Sequence, residues 1–263
     1  MERSGVTAPL PDLPVQVISL ARATARQAQV AEEFARIGMA YTIFEGIDGA
    51  AHQAELLGRT DLAAWHRNMG APISAGHMGC YASHVELWRQ IAQDGPEIVL
   101  ICEDDVTFTA DFPQALAAGL AMAERWDILR FSCIRAKGRL PQARLGPFTL
   151  MAYWGPFTGN GCYLIKRAVA ARLTERFYPI RRAHDHELNR FFDHDIRLMG
   201  LEPFTAPPRD RGESFITGTA MAGAKKFPKY KRLPHYRQKL ANYARRLIWL
   251  ARHGLLSFRR AGG

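Results

Sequence analysis

The sequence lacks the features that mark several large classes of protein. No run of about 18 apolar residues occurs in the 263-residue chain, so no membrane-spanning helix is predicted. The cysteines stand far apart without a CxxC pair, which favours free thiols over a disulfide framework. The first residues lack a charged segment followed by an apolar one, so no signal peptide is predicted and a cytoplasmic location is expected.

Motifs of three common chemistries are also missing. The chain contains no GxSxG, no GxGxxG after a predicted strand and no GxxxxGK[ST]. Serine-hydrolase, Rossmann and P-loop functions therefore have no support. No RRM, KH or zinc-finger pattern accompanies the basic residues, so nucleic acid is not a favoured partner.

Acidic residues are missing from the C-terminal end. From residue 214 onward there are 12 Lys or Arg and no Asp or Glu, whereas residues 1–213 hold 23 basic and 25 acidic residues. The tail therefore carries the whole net charge of +10. This asymmetry indicates an anionic partner for the tail, such as a membrane surface, a nucleic acid or an acidic saccharide.

The spacing within the tail predicts a basic amphipathic helix over residues 234–260. Trp249 lies at the flank of its apolar stripe, and this pattern favours a helix in an anionic membrane interface, peripheral on the inner face of the cytoplasmic membrane. A helix that docks the stripe on the body is the alternative. The stripe consists of Tyr236, Leu240, Tyr243, Leu247 and Ala251.

Strand-like and helix-like segments alternate through the body. Strands are predicted at 14–20, 39–49, 99–102, 126–132 and 159–166, and a long helix at 74–95 with Ser74 at its start. The alternation predicts an α/β sheet with helices on both faces. Ligands of such sheets bind beyond the C-terminal ends of the strands, so the functional site is expected there. Residues 1–217 are interpreted as one catalytic domain and residues 218–263 as the tail.

Three consecutive acidic residues follow one of the predicted strands. In "VLICEDDVTF", apolar residues lead directly into Glu103, Asp104 and Asp105. Adjacent like charges repel, so folding alone gains little from them. Carboxylates at a strand end bind a hard divalent cation, which would neutralise a diphosphate leaving group. The alternative is an exposed acidic turn in which Asp104 or Asp105 caps the next segment.

Two further clusters have both a functional and a structural interpretation. His77, Cys80 and His84 have a spacing that suits a transition metal, but a packed helix face is favoured because no further Cys or His accompanies them. In "HDHELNRFF", Asp185 or Glu187 is a candidate general base. The alternative there is a helix start that favours acidic residues.

Taken in order, the motifs resemble glycosyltransferase family 25, which includes lipopolysaccharide and collagen galactosyltransferases. The chain departs from the family pattern at Ser19-Leu20-Ala21, where Asn-Leu-Asp is usual, and at His77, where an acid is expected. The matching blocks cover residues 14–217 and are the first strand with Arg22 and Arg26, "FEGIDG", "GCYASHVELW", "ICEDDV", "GCYLIKRAVAARL", "HDHEL" and "ESFI".

The resemblance implies a single GT-A-like α/β domain with a mixed, mostly parallel central sheet, helices on both faces and a basic C-terminal helix. It also implies a UDP-sugar donor with galactose favoured, a saccharide or glycolipid acceptor, and Mn²⁺ or Mg²⁺. Glu103 and Asp105 would bind the metal, and Asp185, with Glu187 as the second candidate, would be the base of an inverting reaction. The donor-binding residues would be Leu20, Arg22, Arg26, Asp48, His84, Glu103 and Asp104.

Two other functional classes remain open. One is a catalytically inactive GT-A-like protein that binds carbohydrate, because the departures at Ser19 and Ala21 affect the nucleotide side of the site. The other is a nucleic-acid-binding protein that uses the basic tail.

Overall fold

The computed structural model describes residues 13–209 and 226–256. The predicted "ESFI" block and the 217/218 boundary lie outside these ranges. Within these ranges the strands are β1 (Val15–Ser19), β2 (Thr42–Glu45), β3 (Ile98–Glu103), β4 (Ile128–Arg130), β5 (Arg135–Ala136), β6 (Arg139–Leu145), β7 (Phe148–Tyr153), β8 (Phe157–Thr158), β9 (Cys162–Lys166) and β10 (Leu198–Glu202).

The α-helices are α1 (Thr24–Ile37), α2 (Gln53–Gly58), α3 (Leu62–Met69), α4 (Ala75–Asp94), α5 (Phe112–Ala121), α6 (Arg167–Thr174), α7 (His184–Leu188), α8 (Phe191–His194) and α9 (Leu233–Arg252). In the first half of the chain helices alternate with strands as predicted, except that two helices without a predicted counterpart, α2 and α3, precede α4 between β2 and β3.

Eight strands form one mixed sheet in the order β2-β1-β3-β9-β4-β10-β7-β6. Strands β9 and β7 are antiparallel to their neighbours, and the other six run in one direction. The predicted mixed, mostly parallel α/β sheet is therefore confirmed. Its central strands are covered on both sides, which explains why β3 and β9 read as nearly continuous apolar runs.

Helices cover both faces of this sheet. On one face, Gly119 of α5 lies directly against Leu129 of β4. Leu129 pairs with Leu164 of β9. The residue before Leu164 in β9 is Tyr163, whose hydroxyl accepts a hydrogen bond from Trp88 of α4. Because neighbouring residues of a strand point to opposite faces, α4 and α5 lie on opposite sides of the sheet.

Local signals in the sequence explain the boundaries of two long helices. Helix α1 ends at Gly38, whose φ of 69° is the left-handed conformation that glycine adopts without strain. Helix α4 begins after Ser74, and the Ser74 Oγ accepts a hydrogen bond from the His77 backbone N–H. Gly95 ends α4 in extended backbone before β3 begins. The predicted start of the long helix at Ser74 and its predicted end at residue 95 are confirmed.

Two regions differ from the predicted alternation. Residues 135–158 form a small β5–β8 sheet and the β6–β7 hairpin, where a register shift lies between Pro141 and Ala143. The segment "HDHELNRFF", read above as a possible helix start, forms two short helices, because Arg190 between them has non-helical backbone angles.

The basic C-terminal helix is present as α9, and it packs on the body. Trp249 and Leu250 are buried, Trp249 packs edge-on against Phe191, and its Nε1 donates to the Asp195 carboxylate at 2.9 Å. The prediction that Trp249 lies at the flank of an exposed stripe is therefore wrong, whereas membrane contact by the stripe itself stays a prediction. The alternative, in which the predicted stripe docks on the body, is also wrong, because Leu240 of that stripe is 73% exposed.

None of the helices in the two described ranges combines the length and the apolar character that crossing a bilayer requires.

Candidate active site

A cleft of about 350 Å³ opens where β1 and β3 end. These two parallel strands are neighbours in the sheet, so the residues after them meet at its carboxyl edge. The loop after β2 and the first turns of α4 complete the walls. All the residues predicted for the donor and the metal line this cleft, namely Leu20, Arg22, Arg26, Asp48, His84, Glu103, Asp104 and Asp105.

The loop after β2 packs against α4 through direct contact between the two backbones. A Cβ atom on Gly79 would lie 2.6 Å from both the Gly49 nitrogen and the Ile47 oxygen, so a side chain does not fit there. The Ser83 hydroxyl adds a link, since it accepts a hydrogen bond from the Ile47 N–H at 2.8 Å. Helix α4 thereby holds the loop that carries Asp48 at the cleft.

Two ion pairs connect the segment after β1 with the acidic residues of the cleft. Arg26 Nη1 donates to Asp104 Oδ1 at 2.9 Å, and the Ser19 hydroxyl donates to Asp104 Oδ2 at 2.8 Å. Arg22 lies 2.7 Å from Asp48, and this hydrogen bond lowers the pKa of Asp48 to about 2. Asp104 is thus anchored to β1, and Ser19 keeps a polar link where the family usually has Asn.

Asp105 differs from its neighbour Asp104. Burial, and then the charge of Glu103, raise the pKa of Asp105 to about 7. Its Oδ1 is buried and has no hydrogen-bond partner within residues 13–209 and 226–256. An orphaned carboxylate oxygen beside a second carboxylate is an arrangement that a hard divalent cation satisfies. The residues present therefore fit the implied Mn²⁺ or Mg²⁺.

His84 connects the cleft to the core through hydrogen bonds. Its Nε2 lies 3.2 Å from Glu103 Oε1, and its Nδ1 lies 2.9 Å from the Tyr163 hydroxyl, which also accepts from Trp88 Nε1. Cys80, His84 and Glu103 each offer one potential ligand atom, and these atoms lie within 4.8 Å of one another. The structure thus groups Cys80 and His84 with an acidic residue of β3.

His77 does not join this group. Its Nδ1 hydrogen-bonds with the hydroxyl of Ser74 at 2.7 Å, and its ring packs edge-on against Trp65. The cluster of His77, Cys80 and His84 that the spacing suggests is therefore not assembled. Periodicity placed the three residues on one helix face, but it carried no information about which of them faces β3.

Asp185 lies beside the cleft at the start of α7. Its Oδ2 accepts from the Gly159 N–H at 2.9 Å, and its Oδ1 accepts from the His186 N–H. Burial opposes its ionisation, but the charges of His186 and Arg130 and these N–H groups hold the pKa of Asp185 below its ordinary value. The carboxylate is near enough to Cys80 to contribute, after burial and Glu103, to the raised pKa of that thiol.

Glu187 is not brought into the cleft. Its carboxylate accepts from Arg182 Nη1 at 2.7 Å and lies 3.4 Å from His194 Nε2. Burial alone would raise the pKa of Glu187, but His194 and Arg182 lower it to about 2. These contacts use the Glu187 carboxylate to link α7 with α8. They do not favour Glu187 as the base, which was its alternative predicted role.

Sequence reasoning missed a buried polar group beneath Asp185. Arg130 is fully buried at the end of β4 and donates to the Phe157 carbonyl oxygen at 2.6 Å. Asn160 Nδ2 lies 2.6 Å from His184 Nδ1, and both side chains are buried. The available signal was an arginine within the apolar strand "WDILRFS", because a buried charge is costly unless it is paired and hydrogen-bonded.

The acidic cleft at the carboxyl edge of a mixed α/β sheet is consistent with a glycosyltransferase. Residues 12–188 match the family described as glycosyltransferase family 25 (LPS biosynthesis protein). The match covers more than half of the chain, so the protein belongs to glycosyltransferase family 25, and the family resemblance of the motifs is confirmed.

Three relatives illustrate the range of the family. The chain is 27% identical over 192 residues to the lacto-N-neotetraose biosynthesis glycosyltransferase LgtB of Neisseria gonorrhoeae, covering 69% of this chain and 67% of LgtB. It is 24% identical over 217 residues to procollagen galactosyltransferase 1 of Danio rerio, covering 74% of this chain and 36% of that protein. It is also 24% identical over 215 residues to a probable inactive family member 3 of Rattus norvegicus, covering 74% of this chain and 38% of that protein.

The chain thus spans only a little over a third of the two animal relatives. Because one of them is named as inactive, family membership alone does not establish catalysis in this chain.

Proposed function

We propose that the chain is an active, inverting glycosyltransferase that moves a sugar from a UDP-sugar to a hydroxyl of a saccharide or glycolipid acceptor. Galactose is the favoured sugar, and synthesis of a lipopolysaccharide-type glycan is the favoured process, in view of the names of the relatives. One observation carries the proposal: Glu103 and Asp105 face one cleft, and Asp105 has an orphaned buried oxygen.

Glu103 and Asp105 would hold Mn²⁺ or Mg²⁺, which offsets the negative charge that develops on a departing diphosphate. Around this pair, the chain supplies a frame of fixed charges. Asp104 is held by Arg26 and Ser19, so it positions the strand end and leaves the other two acids to bind the metal. Fixed dipoles and charges of this kind need no reorganisation during the reaction.

The segment after β1 and the loop after β2 form the proposed nucleotide side. Arg22 is paired with Asp48 at the mouth of the cleft, and its side chain is 57% exposed, so it is accessible to an anionic donor. Leu20 adds an apolar wall to the same cleft. His84 holds Glu103 in place from below through its ring Nε2.

Asp185 is the proposed base that takes the proton of the acceptor hydroxyl. A base must be deprotonated at neutral pH, and the lowered pKa of Asp185 meets this requirement. Its two backbone hydrogen bonds fix the orientation of the carboxylate. Neither acid lines the cleft, but the charge of Asp185 reaches Cys80 on the cleft wall, whereas Glu187 is paired with Arg182 and His194. This difference supports Asp185 over Glu187.

A screen of nucleotide sugars with and without Mn²⁺ tests the proposal. We expect metal-dependent release of UDP from one donor, and a donor present at 100 times its Kd should stabilise the fold by about 2.7 kcal/mol. Asp105→Asn should lose the metal-dependent release of UDP. Asp94→Asn changes an exposed acid at the end of α4 and should behave as wild type. Donor binding without turnover would instead support an inactive carbohydrate-binding protein.

We also propose that α9 contacts an anionic membrane surface. Tyr236, Leu240 and Leu247 remain exposed although the opposite part of the helix packs on the body. Arg237 and Lys239 lie on the same helix, and α9 contains no acidic residue. Apolar side chains beside basic ones suit the boundary between lipid headgroups and acyl chains, where a glycolipid acceptor would be found.

A further inference from the structure

Cys80, His84 and Glu103 form a cluster of three different metal-binding side chains on the wall of the cleft. Cys80 and His84 are four residues apart on α4, so they lie on the same side of the helix. Glu103 reaches them from the end of β3, and one potential ligand atom from each residue lies within 4.8 Å of the others. All three residues line the cleft, which gives a dissolved ion access to them.

The chemistry of this set differs from that of the carboxylate pair Glu103 and Asp105. Mg²⁺ and Mn²⁺ prefer oxygen ligands, whereas a thiolate together with an imidazole favours Zn²⁺ and similar ions. Three protein ligands with a fourth position open is an arrangement that Zn²⁺ accepts in proteins, with bonds of about 2.0–2.3 Å.

The surroundings of His84 suit a metal ligand. Ligating histidines commonly use their second ring nitrogen to donate to a fixed acceptor, which orients the ring. Here the second nitrogen, Nδ1, faces the Tyr163 hydroxyl at 2.9 Å. In the metal-free protein, Nε2–H donates to Glu103. With an ion bound, the proton would lie on Nδ1 and the Nε2 lone pair would face the ion. Trp88 Nε1 also donates to the same hydroxyl, so the acceptor is held in place.

We propose that Cys80, His84 and Glu103 form a binding site for Zn²⁺ or a similar borderline-soft divalent ion, and that its occupation inhibits the transferase. Binding converts the Cys80 thiol to a thiolate and releases one proton to solvent. Glu103 belongs to both sets, so an ion bound to Cys80 and His84 withdraws it from Asp105. The inhibition rests on the proposed function, whereas the binding does not.

Cobalt titration of the full chain tests the binding directly. Co²⁺ replaces Zn²⁺ in such sites and gives a thiolate-to-metal charge-transfer band. We expect this band in the wild type and its loss on adding Zn²⁺. Cys80→Ser should abolish the band and weaken Zn²⁺ binding by at least about 100-fold, since loss of an outer partner alone costs about 10- to 100-fold. Cys133→Ser, at a half-buried thiol outside the cleft, is the matched control and should keep the band.

Two further measurements separate the possible outcomes. Tyr163→Phe should weaken Zn²⁺ binding by about 10- to 100-fold while the cobalt band persists, because it removes the acceptor of His84 without removing a ligand. The ratio of UDP release with and without Zn²⁺ should fall in the wild type and in Cys133→Ser but stay near one in Cys80→Ser. If Cys80→Ser does not fold by circular dichroism, Cys80→Ala replaces it.

A cobalt band in a protein that releases no UDP would support the site and overturn the proposed function. Equal Zn²⁺ affinity in wild type and Cys80→Ser would overturn the site, whatever the activity. Zn²⁺ binding with an unchanged rate of UDP release would overturn the inhibition.

Discussion

Asp105 combines a raised pKa with an orphaned oxygen, and this makes its effect on stability depend on pH. Between the ordinary value of 3.8 and about 7, the folded protein holds more protons at Asp105 than the unfolded chain does. The free energy of unfolding therefore falls as pH rises through this window. Asp105→Asn should remove the fall and make the metal-free protein more stable than wild type at pH 8, by at most about 4 kcal/mol. Denaturant unfolding at pH 4 and pH 8 measures this.

Mn²⁺ should reverse that ranking. At pH 8 the ionised Asp105 binds the cation, so added Mn²⁺ should raise the Tm of the wild type but not of Asp105→Asn. The effect should shrink below pH 6 as Asp105 takes up a proton. The same increase in both proteins would show that Asp105 is not a metal ligand.

Asp185 and Glu187 are two residues apart, yet their surroundings predict different roles. Asp185→Asn should lower kcat by about 10²–10⁴, the usual contribution of positioned proton transfer, with donor affinity nearly unchanged. Glu187→Gln should change kcat much less and instead lower the free energy of unfolding by about 3 kcal/mol, because it removes the buried negative charge that faces Arg182 and His194. Steady-state kinetics and denaturant unfolding of both variants provide the comparison. Collapse of donor binding in Asp185→Asn would move Asp185 to the donor site.

At the scale of the elements, contact between α4 and the loop after β2 should control the shape of the donor side. Gly79→Ala places a methyl group against backbone atoms of Ile47 and Gly49, so the loop must move. We expect a stability loss of about 1–3 kcal/mol from this overpacking and weaker donor binding. Thermal unfolding and donor titration measure the two effects.

The matched control for this variant is Gly58→Ala at the end of α2, where an added Cβ meets nothing within 4 Å. It should leave stability and donor binding close to wild type. Wild-type donor affinity in Gly79→Ala would show that the position of the loop after β2 does not limit donor binding.

Most elements before residue 135 follow from local patterns, whereas the later β-rich region does not. Parallel strands buried on both faces give apolar runs that read clearly, and Gly38 and Ser74 mark helix ends. Strand β6 is partly exposed, contains Pro141 and has a register shift, so its alternation is obscured. Periodicity therefore indicated no strand in that segment.

Part of the candidate site was predictable from the sequence, because the order of the strands places some of its residues together. The acids after β3 and the arginines after β1 meet because parallel neighbours end at the same edge of a sheet. The grouping of Cys80 and His84 with Glu103 depends on the rotation of α4 against β3, which no local pattern encodes. The surroundings of Glu187 depend equally on a partner, His194, from the next helix.

For the whole molecule, the position of α9 determines how the body would meet a membrane. Leu240→Gln with Leu247→Gln should lower the affinity for anionic vesicles, measured by sedimentation, by at least about 100-fold, since each buried leucine contributes about 1.5–3 kcal/mol. High salt should weaken the remaining binding, to which each basic residue near the surface adds about 1 kcal/mol. Activity on a soluble acceptor should not change.

Leu62→Gln with Leu145→Gln, at exposed leucines of α3 and β6, is the control and should sediment as wild type. Equal sedimentation of both double variants would mean that the stripe does not contact lipid. Removal of the whole helix is a weaker test, because it would also uncover Phe191 and remove the Trp249 partner of Asp195.

Strand β9 runs against its neighbours β3 and β4, so it begins at the edge of the sheet where they end. Its first residue, Cys162, pairs with Cys102, and Gly159 just before it holds Asp185. A single-residue insertion or deletion within β9 would turn Tyr163 to the other face of the sheet. It would also displace Gly159, whose N–H holds the Asp185 carboxylate. Natural variation in chain length should therefore be excluded from β9 and concentrate in the β6–β7 turn at Gly146, where an added side chain would meet open space.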